Sequence, residues 1–144
     1  MNKKLKITGL MMMTLALFAC GASYDQTVEI GTLGNQMKYN VVKIKAKPTT
    51  TLQIKLVNNA SMEVMKHNIV VLKNEAAIDE VGKAALSAEN YLPESNNILA
   101  ASEMIGPGET TELIVQVPSE PGIYPYICTY PGHYQVMQGQ IIVE

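Results

Sequence analysis

Hydrophobic and polar residues alternate with a period of two in several short stretches of this chain. Aliphatic residues alternate with lysines over positions 42–47, and similar alternation occurs over 52–56 and 112–117. Two further aliphatic residues, Ile141 and Val143, repeat the pattern at the end of the chain. This period is typical of β-strands that have one buried and one solvated face, as in antiparallel sheets.

Clusters of turn-forming residues separate the alternating stretches. They are Gly34-Asn35, Pro48-Thr49-Thr50, Asn58-Asn59, Gly106-Pro107-Gly108 and Glu120-Pro121-Gly122. Seven or eight short strands with turns at this spacing predict an all-β protein, either a sandwich or a barrel.

One segment, from Glu75 to Asn90, has a helical period instead. Its apolar residues recur at helical spacing, at Ile78, Val81, Ala85 and Ala88. Asn74 is suited to cap the start of a helix, and Pro93 prevents its continuation. Gly82 lies in the middle, where it weakens a helix. We expect one amphipathic helix that packs on the β-structure and has no chemical role.

The start of the chain is typical of an export signal. A short basic segment with three lysines precedes an apolar run from Ile7 to Ala19, which is too short to span a bilayer comfortably. The run ends in Leu17-Phe18-Ala19-Cys20. This ending resembles a bacterial lipobox, in which a signal peptidase cuts before the cysteine and the cysteine is lipidated. Cys20 is therefore a predicted lipidation site.

These features divide the chain into three predicted parts. Residues 1–19 form a lipoprotein signal peptide, residues 20–26 a lipidated tether, and residues 27–144 one folded domain. Without the signal peptide the chain has eight lysines, no arginine and 13 acidic residues, so its formal charge is −5. A nucleic-acid partner is therefore not expected. We expect an exported protein in the bacterial periplasm or cell envelope, anchored to a membrane by its lipid.

The strongest chemical signal is the segment Cys128-Thr-Tyr-Pro-Gly-His133-Tyr-Gln-Val-Met137 together with His67 far upstream. Its soft sulfur ligands, a thiolate and a thioether, together with imidazole nitrogens suit copper. Two histidines and one cysteine in a plane with a long axial methionine form a blue-copper (type 1) site. If Cys20 carries lipid, Cys128 is an unpaired thiol in an oxidising compartment, where a cysteine is normally paired or absent.

Simpler interpretations exist for each of these residues. His67 could be an ordinary polar residue at the start of a core strand, Met137 could be core packing, and Cys128 could be a buried structural thiol. A nucleophilic Cys128 is disfavoured, because the sequence offers no orienting partner with an oxyanion site and the chemistry gives Met137 no role. The spacing of the four residues favours the metal site.

The stretch from Val28 to Glu144 resembles the azurin and auracyanin branch of the cupredoxins. The resemblance rests on motifs that occur in the order of that family, namely Gly34-Asn35-Gln36-Met37, Met65-Lys66-His67-Asn68, Tyr91-Leu92-Pro93, Ile105-Gly106-Pro107-Gly108-Glu109 and Cys128-Thr129-Tyr130-Pro131-Gly132-His133. Four residues separate the cysteine from the second histidine and three separate that histidine from the methionine, as in azurin-like loops. The resemblance implies a Greek-key β-sandwich with one helical insertion and one copper ion at one pole.

The resemblance also implies a set of ligands. His67, Cys128 and His133 would be the strong equatorial ligands and Met137 the weak axial one. The backbone carbonyl of Lys66 would be a remote second axial contact, at a position where azurins normally have glycine.

Further roles follow from the same resemblance. Asn68 and Thr129 would join the two ligand-bearing segments by hydrogen bonds and so orient the ligands. Met65 and Tyr130 would lie near an exposed edge of His133, where partner proteins dock and electrons leave.

The expected function is transfer of single electrons between redox proteins such as cytochromes, reductases or oxidases. Enzymatic catalysis is not expected, because the ligand set leaves no position for substrate and has no adjacent general acid or base. Met62 and Met65 beside His67 keep open an alternative function in copper delivery, storage or stress protection. An accessory domain of a larger complex is a third interpretation.

Overall fold

The alternating stretches of the sequence form the strands of two packed sheets. A computed structural model describes residues 23–144, so the predicted signal peptide and Cys20 lie outside the described residues. In chain order the strands are β1 (Gln26–Gly31), β2 (Lys43–Ala46), β3 (Thr51–Val57), β4 (Val70–Leu72), β5 (Ile98–Ala101), β6 (Thr110–Gln116), β7 (Gly122–Ile127) and β8 (Gln138–Val143). A helix, α1 (Ala77–Ala85), lies between β4 and β5.

The strands form a three-stranded sheet in the order β1-β3-β6 and a five-stranded sheet in the order β2-β8-β7-β4-β5. The predicted all-β sandwich with one helix is therefore confirmed. Alternate residues of β3 are buried, and Leu52, Ile54 and Leu56 are at most 1% exposed. These side chains pack against residues of the other sheet, including Ile141, to form the main core.

Strand pairing differs from the antiparallel arrangement that the alternation suggested. β1 pairs with β3 in parallel, with Val28 opposite Ile54, and β2 pairs with β8 in parallel, with Ile44 opposite Ile141. The other pairs of strands are antiparallel. The chain crosses from one sheet to the other between β1 and β2 and returns at β3. β2 is therefore paired with neither β1 nor β3, and two of the pairings are parallel.

The helix is shorter than the segment from Glu75 to Asn90 that the sequence indicated. Asn74 Oδ1 accepts a hydrogen bond from the Ala77 amide at 3.2 Å, in agreement with the expected cap. The α-helix ends at Ala85, and a separate 3-10 turn covers Glu89–Tyr91. Asn90 and Tyr91 have φ angles of 52° and 57°, in the left-handed region, so a right-handed helix cannot continue through them. No helix within residues 23–144 is long and apolar enough to cross a membrane.

α1 covers part of the outer face of the five-stranded sheet. Ala77 and Val81 of the helix form a second apolar cluster with Val70, Leu72 and Ile127 of strands β4 and β7. The five-stranded sheet therefore packs against the three-stranded sheet on one face and against α1 on the other.

Two isoleucines on neighbouring strands test this division between core and surface. Ile54 is fully buried between the sheets, whereas Ile114 on β6 is 39% exposed. We expect Ile54→Ala to lower the free energy of unfolding by about 2–5 kcal/mol, because it leaves a cavity in a packed core. Ile114→Ala should cost about 1 kcal/mol or less. Urea denaturation of the metal-free protein measures both, and equal losses would contradict the assignment of the core.

Candidate metal centre

Three donor residues come together near one end of the sandwich, although they belong to separate segments. His67 lies before β4 and exchanges backbone hydrogen bonds with Ile105, at 3.0 Å and 2.9 Å. Cys128 directly follows β7, and His133 lies in the turn between β7 and β8. Gly132 has a φ of 81°, a conformation that favours glycine, so its position just before His133 shapes this turn.

The donor atoms of these residues converge. Cys128 Sγ lies 3.8 Å from His67 Nδ1 and 3.6 Å from His133 Nδ1. The three donor atoms all lie within 4.8 Å of one another. Cys128 and His67 are fully buried, and His133 is 4% exposed. The site is therefore a closed cluster of one sulfur and two nitrogen donors.

The spacing of the donors fits a single metal ion. Bonds of about 2.3 Å to a thiolate and about 2.0 Å to an imidazole, as in zinc sites, separate the two donors by about 3.7 Å at an angle of about 120°. Both sulfur–nitrogen distances are close to this value. One thiolate with two imidazoles suits copper better than it suits a hard cation such as Mg²⁺ or Ca²⁺.

Burial keeps the donors uncharged when no metal is bound. Burial and, to a smaller extent, the neighbouring His133 lower the pKa of His67 to about 4, and burial also lowers the pKa of His133. Both imidazoles are then neutral near pH 7 and can donate a lone pair. Burial raises the pKa of the Cys128 thiol to about 11, although backbone N–H groups of Asn68 and Tyr130 oppose the shift. A metal that binds here must displace the thiol proton.

The surroundings of His67 disagree with a purely structural histidine. A buried polar atom normally has a hydrogen-bond partner. His67 Nδ1 faces the Cys128 sulfur, and His67 Nε2 has no hydrogen-bond partner within residues 23–144. A metal ion in the cluster would bind Nδ1 and would leave Nε2 as the protonated nitrogen, so the position of Nδ1 beside the sulfur is what favours the metal-site interpretation.

Asn68 and Thr129 directly join the two segments that carry His67 and Cys128. Asn68 Nδ2 donates to Thr129 Oγ1 at 2.8 Å, and the Thr129 amide donates to Asn68 Oδ1 at 2.9 Å. Both residues are about 1% exposed. Tyr39 ties the first of these segments to another part of the core, because its hydroxyl donates to the Asn68 carbonyl. The structure thus contains the side-chain connection that the resemblance implied.

The turn from His133 to Met137 is closed by backbone hydrogen bonds. The Met137 amide donates to the His133 carbonyl at 2.8 Å, and the Cys128 amide donates to the Met137 carbonyl at 3.1 Å. Met137 is fully buried in the same core cluster as Cys128. Lys66 is exposed and has a negative φ, unlike the glycines in the turns. The axial roles of Met137 and of the Lys66 carbonyl stay predictions.

The predicted docking edge is less accessible than expected. His133 is 4% exposed and Met65 is 9% exposed, so neither offers a broad accessible surface. Tyr130 packs edge-on against His133 at a centroid distance of 5.0 Å, and Tyr91 packs edge-on against Tyr130 at 5.4 Å. The docking role of Met65, Tyr130 and His133 stays a prediction.

Asn58 is a residue near the site whose importance the sequence did not reveal. Its buried Nδ2 donates to the Met65 carbonyl at 2.8 Å and to the Ile105 carbonyl at 3.3 Å. It therefore holds the loop before His67 against the segment that pairs with His67. The sequence marked the Asn58-Asn59 pair only as a turn, because the composition of a turn does not show where its side chains point.

Thr129→Val tests the link between the ligand segments. The substitution keeps the shape of the side chain but leaves Asn68 Nδ2 without its acceptor in a buried place. We expect the free energy of unfolding of the metal-free protein to fall by about 1–3 kcal/mol. Thr27→Val removes a hydrogen bond between exposed side chains and should change stability by less than about 0.5 kcal/mol. Equal small effects in chemical denaturation would show that the buried link contributes nothing.

Comparison with known proteins agrees with this geometry. The family described as copper binding proteins, plastocyanin/azurin family, matches residues 26–144. Auracyanin-A of Chloroflexus aurantiacus is 34% identical over 150 residues, which cover 92% of this chain and 91% of that protein. An azurin of Pseudomonas fluorescens is 30% identical over 134 residues, which cover 87% of this chain and 98% of that protein.

Solved structures give the same result. The structure of auracyanin A, a "blue" copper protein of Chloroflexus aurantiacus, matches with a TM-score of 0.76 and 36% identity over 82% of this chain and 98% of that chain. Dithionite-reduced auracyanin of Roseiflexus castenholzii matches with a TM-score of 0.76 and 32% identity over 86% of this chain and 99% of that chain. The expected cupredoxin fold and copper cofactor are confirmed. The chain belongs to the plastocyanin/azurin family of copper-binding proteins and is a blue-copper cupredoxin.

Proposed function

We propose that this protein is an electron carrier that binds one copper ion at a type 1 site and exchanges single electrons with redox proteins. The observation that carries this proposal is the convergence of one buried sulfur and two buried nitrogens at the spacing of one metal ion. His67, Cys128 and His133 would hold the ion in a plane, and Met137 would be a weak axial ligand. The Lys66 carbonyl would be a remote contact on the other side.

Copper, when bound, supplies the one-electron chemistry by alternating between Cu(I) and Cu(II). The contribution of the protein is to keep one set of donors for both states, although free copper ions of the two states prefer different geometries. The hydrogen bonds between Asn68 and Thr129 fix the relative positions of the two ligand segments. Little rearrangement is then needed at each transfer, which favours fast exchange of electrons.

Electron transfer explains the closed site better than enzymatic catalysis does. The three donors are at most 4% exposed, so the cluster offers no open face to a substrate. A nearby hollow of about 330 Å³ is lined by Asn68, Leu92 and Met104, among others, but by none of the three donors. We therefore propose that the protein is not an enzyme.

Partners would approach the site through aromatic rings. Tyr130 is partly exposed and packs edge-on against His133, and Tyr91 packs against Tyr130. The proposed docking surface therefore centres on these two tyrosines and the neighbouring edge of His133, and it includes Met65. Cytochromes, reductases and oxidases are the classes of partner that such a carrier serves.

Burial of the donors disfavours the alternative of copper delivery. A delivery protein must release its ion to a partner, which is easier from exposed ligands. Met62 is 52% exposed but Met65 is 9% exposed, so the two do not form an open thioether pair. A resident copper ion agrees better with this arrangement than a cargo ion does.

Export and a lipid anchor at Cys20 complete the proposal. The Asp25 amide donates to the Thr51 carbonyl, so the start of the domain lies beside the start of β3. The opposite end of β3 leads to Asn58, which contacts the loop before His67. Because six residues of a strand span about 20 Å, Asp25 and the loop before His67 lie at opposite ends of β3. A lipidated Cys20 would direct the copper end away from the membrane, toward partners in the periplasm or cell envelope.

Copper loading and two substitutions test the proposed ligands. We expect the Cu(II) protein to show an intense visible thiolate-to-copper band and a reversible one-electron reduction. In Cys128→Ser this band should disappear while Cu(II) remains bound by the imidazoles. Met137→Leu should keep the blue colour but raise the reduction potential, because loss of the thioether donor weakens the binding of Cu(II) more than the binding of Cu(I). Visible spectroscopy and voltammetry measure these effects.

Met62→Leu is the matched control, since Met62 is an exposed methionine outside the donor cluster. Its spectrum and potential should equal those of the unchanged protein. A colourless protein that binds only Cu(I) and passes it to an apo-protein would contradict electron transfer and support copper delivery.

Intact-mass analysis of protein extracted from membranes tests the anchor. We expect a chain that begins at Cys20 and carries a diacylglyceryl group and incorporates labelled fatty acid. Cys20→Ala should incorporate no label, and Cys128, present in both proteins, controls for labelling of other thiols. A mature protein without lipid, or one that retains residues 1–19, would contradict the proposed anchor.

A further inference from the structure

Tyr134, the residue after His133, packs directly on Gly82 in the middle of α1. A Cβ atom placed at Gly82 would lie 2.3 Å from Cγ and from Cδ2 of the Tyr134 ring, and 2.7 Å from Cδ1. These atoms belong to the part of the ring that is attached to the Tyr134 Cβ atom. A small motion of the hydroxyl end of the side chain therefore cannot relieve the clash. Only a glycine lets the ring sit at this distance from the helix.

The same contact region includes residues on both sides of the ligand loop. Ile127 and Tyr134 belong to one buried apolar cluster with Val81 of α1. Ile127 immediately precedes Cys128, and Tyr134 immediately follows His133. The helix therefore contacts the loop just before its first donor residue and just after its second histidine.

Hydrogen bonds connect the backbone around Tyr134 to residues at both ends of the turn. Gln138 Nε2 donates to the Tyr134 carbonyl at 2.7 Å, and the Met137 amide donates to the His133 carbonyl at 2.8 Å. A displaced Tyr134 would pull on His133 through the chain and on Met137 through this closed turn. The ring is 7% exposed, so it cannot swing into solvent without losing most of its packing.

We propose that α1 positions the ligand loop through the contact between Gly82 and Tyr134, and so sets the copper affinity and the reduction potential. This inference rests on the proposed function, because it takes His133 and Met137 as ligands. It gives α1 a part in the chemistry of the site that the sequence did not indicate. It also explains a glycine that costs about 1 kcal/mol relative to alanine inside a helix.

Gly82→Ala is the direct test, because it adds one methyl group where the ring now lies. Groups that orient metal ligands typically change metal affinity by about tenfold or more when they are altered. We expect about a tenfold loss of Cu(I) affinity in a chelator competition, and a shifted reduction potential. In the metal-free protein we expect about tenfold faster hydrogen exchange of the Met137 amide.

A double substitution separates the contact from general effects on the helix. In Tyr134→Ala the ring is absent, so the further change Gly82→Ala should have no additional effect on affinity or potential and should stabilise the helix. Tyr134→Phe keeps the ring and should behave like the unchanged protein. Ala84→Gly, at an exposed position of α1, weakens the helix by about 1 kcal/mol without altering the contact with Tyr134. It should therefore leave the copper affinity and the reduction potential unchanged.

The inference is overturned if Gly82→Ala lowers only the stability of the metal-free protein, with copper affinity and potential unchanged. It is also overturned if the effects of Gly82→Ala and Tyr134→Ala simply add. Failure of the proposed function looks different, because the unchanged protein would then form no blue copper site. The exchange rate of the Met137 amide would still report whether α1 holds the loop.

Discussion

The metal centre depends on one buried connection, the pair of hydrogen bonds between Asn68 and Thr129. The two residues are 61 positions apart in the chain, and each stands next to a donor residue, His67 or Cys128. Each bond satisfies a polar group that would otherwise be unpaired in the core, so both the fold and the site favour the same geometry. The two sheets bring the segments near each other, and we propose that this connection sets their final spacing.

The site also has an energetic cost that a bound metal offsets. Two imidazoles and a thiol are buried in an apolar environment, where burial keeps all three uncharged near pH 7. A metal ion that binds the folded chain in preference to the unfolded chain adds to stability by mass action. Because Cys128 has no disulfide partner within residues 23–144, the metal-free domain depends on sheet packing and on the α1 contact.

Much of the fold could be predicted because strand periodicity depends on local sequence. The buried residues of β3, such as Ile54, fall where the alternation placed them, and the spacing of Cys128, His133 and Met137 indicated a metal site. The parallel pairing of β1 with β3 could not be predicted, because it depends on the order in which the chain crosses between sheets.

The structure also shows features that depend on contacts between distant segments. The helix ends at Ala85, the backbone is already extended at Ala88, and Asn90 and Tyr91 then adopt left-handed angles, which no local signal in the sequence indicated. Gly82 weakened the helix prediction, but a glycine on the apolar face of an amphipathic helix is also a signal of close contact. Its partner Tyr134 could be identified only from the structure.

We propose that the protein holds one thiolate and two imidazoles in a fixed arrangement that both oxidation states of copper share. X-ray absorption spectroscopy at the copper edge, recorded on the oxidised and reduced protein, tests it most directly. We expect one sulfur and two nitrogen neighbours of copper in both states, with nearly unchanged distances. Loss of an imidazole on reduction, or a shell without sulfur in the oxidised protein, would contradict it.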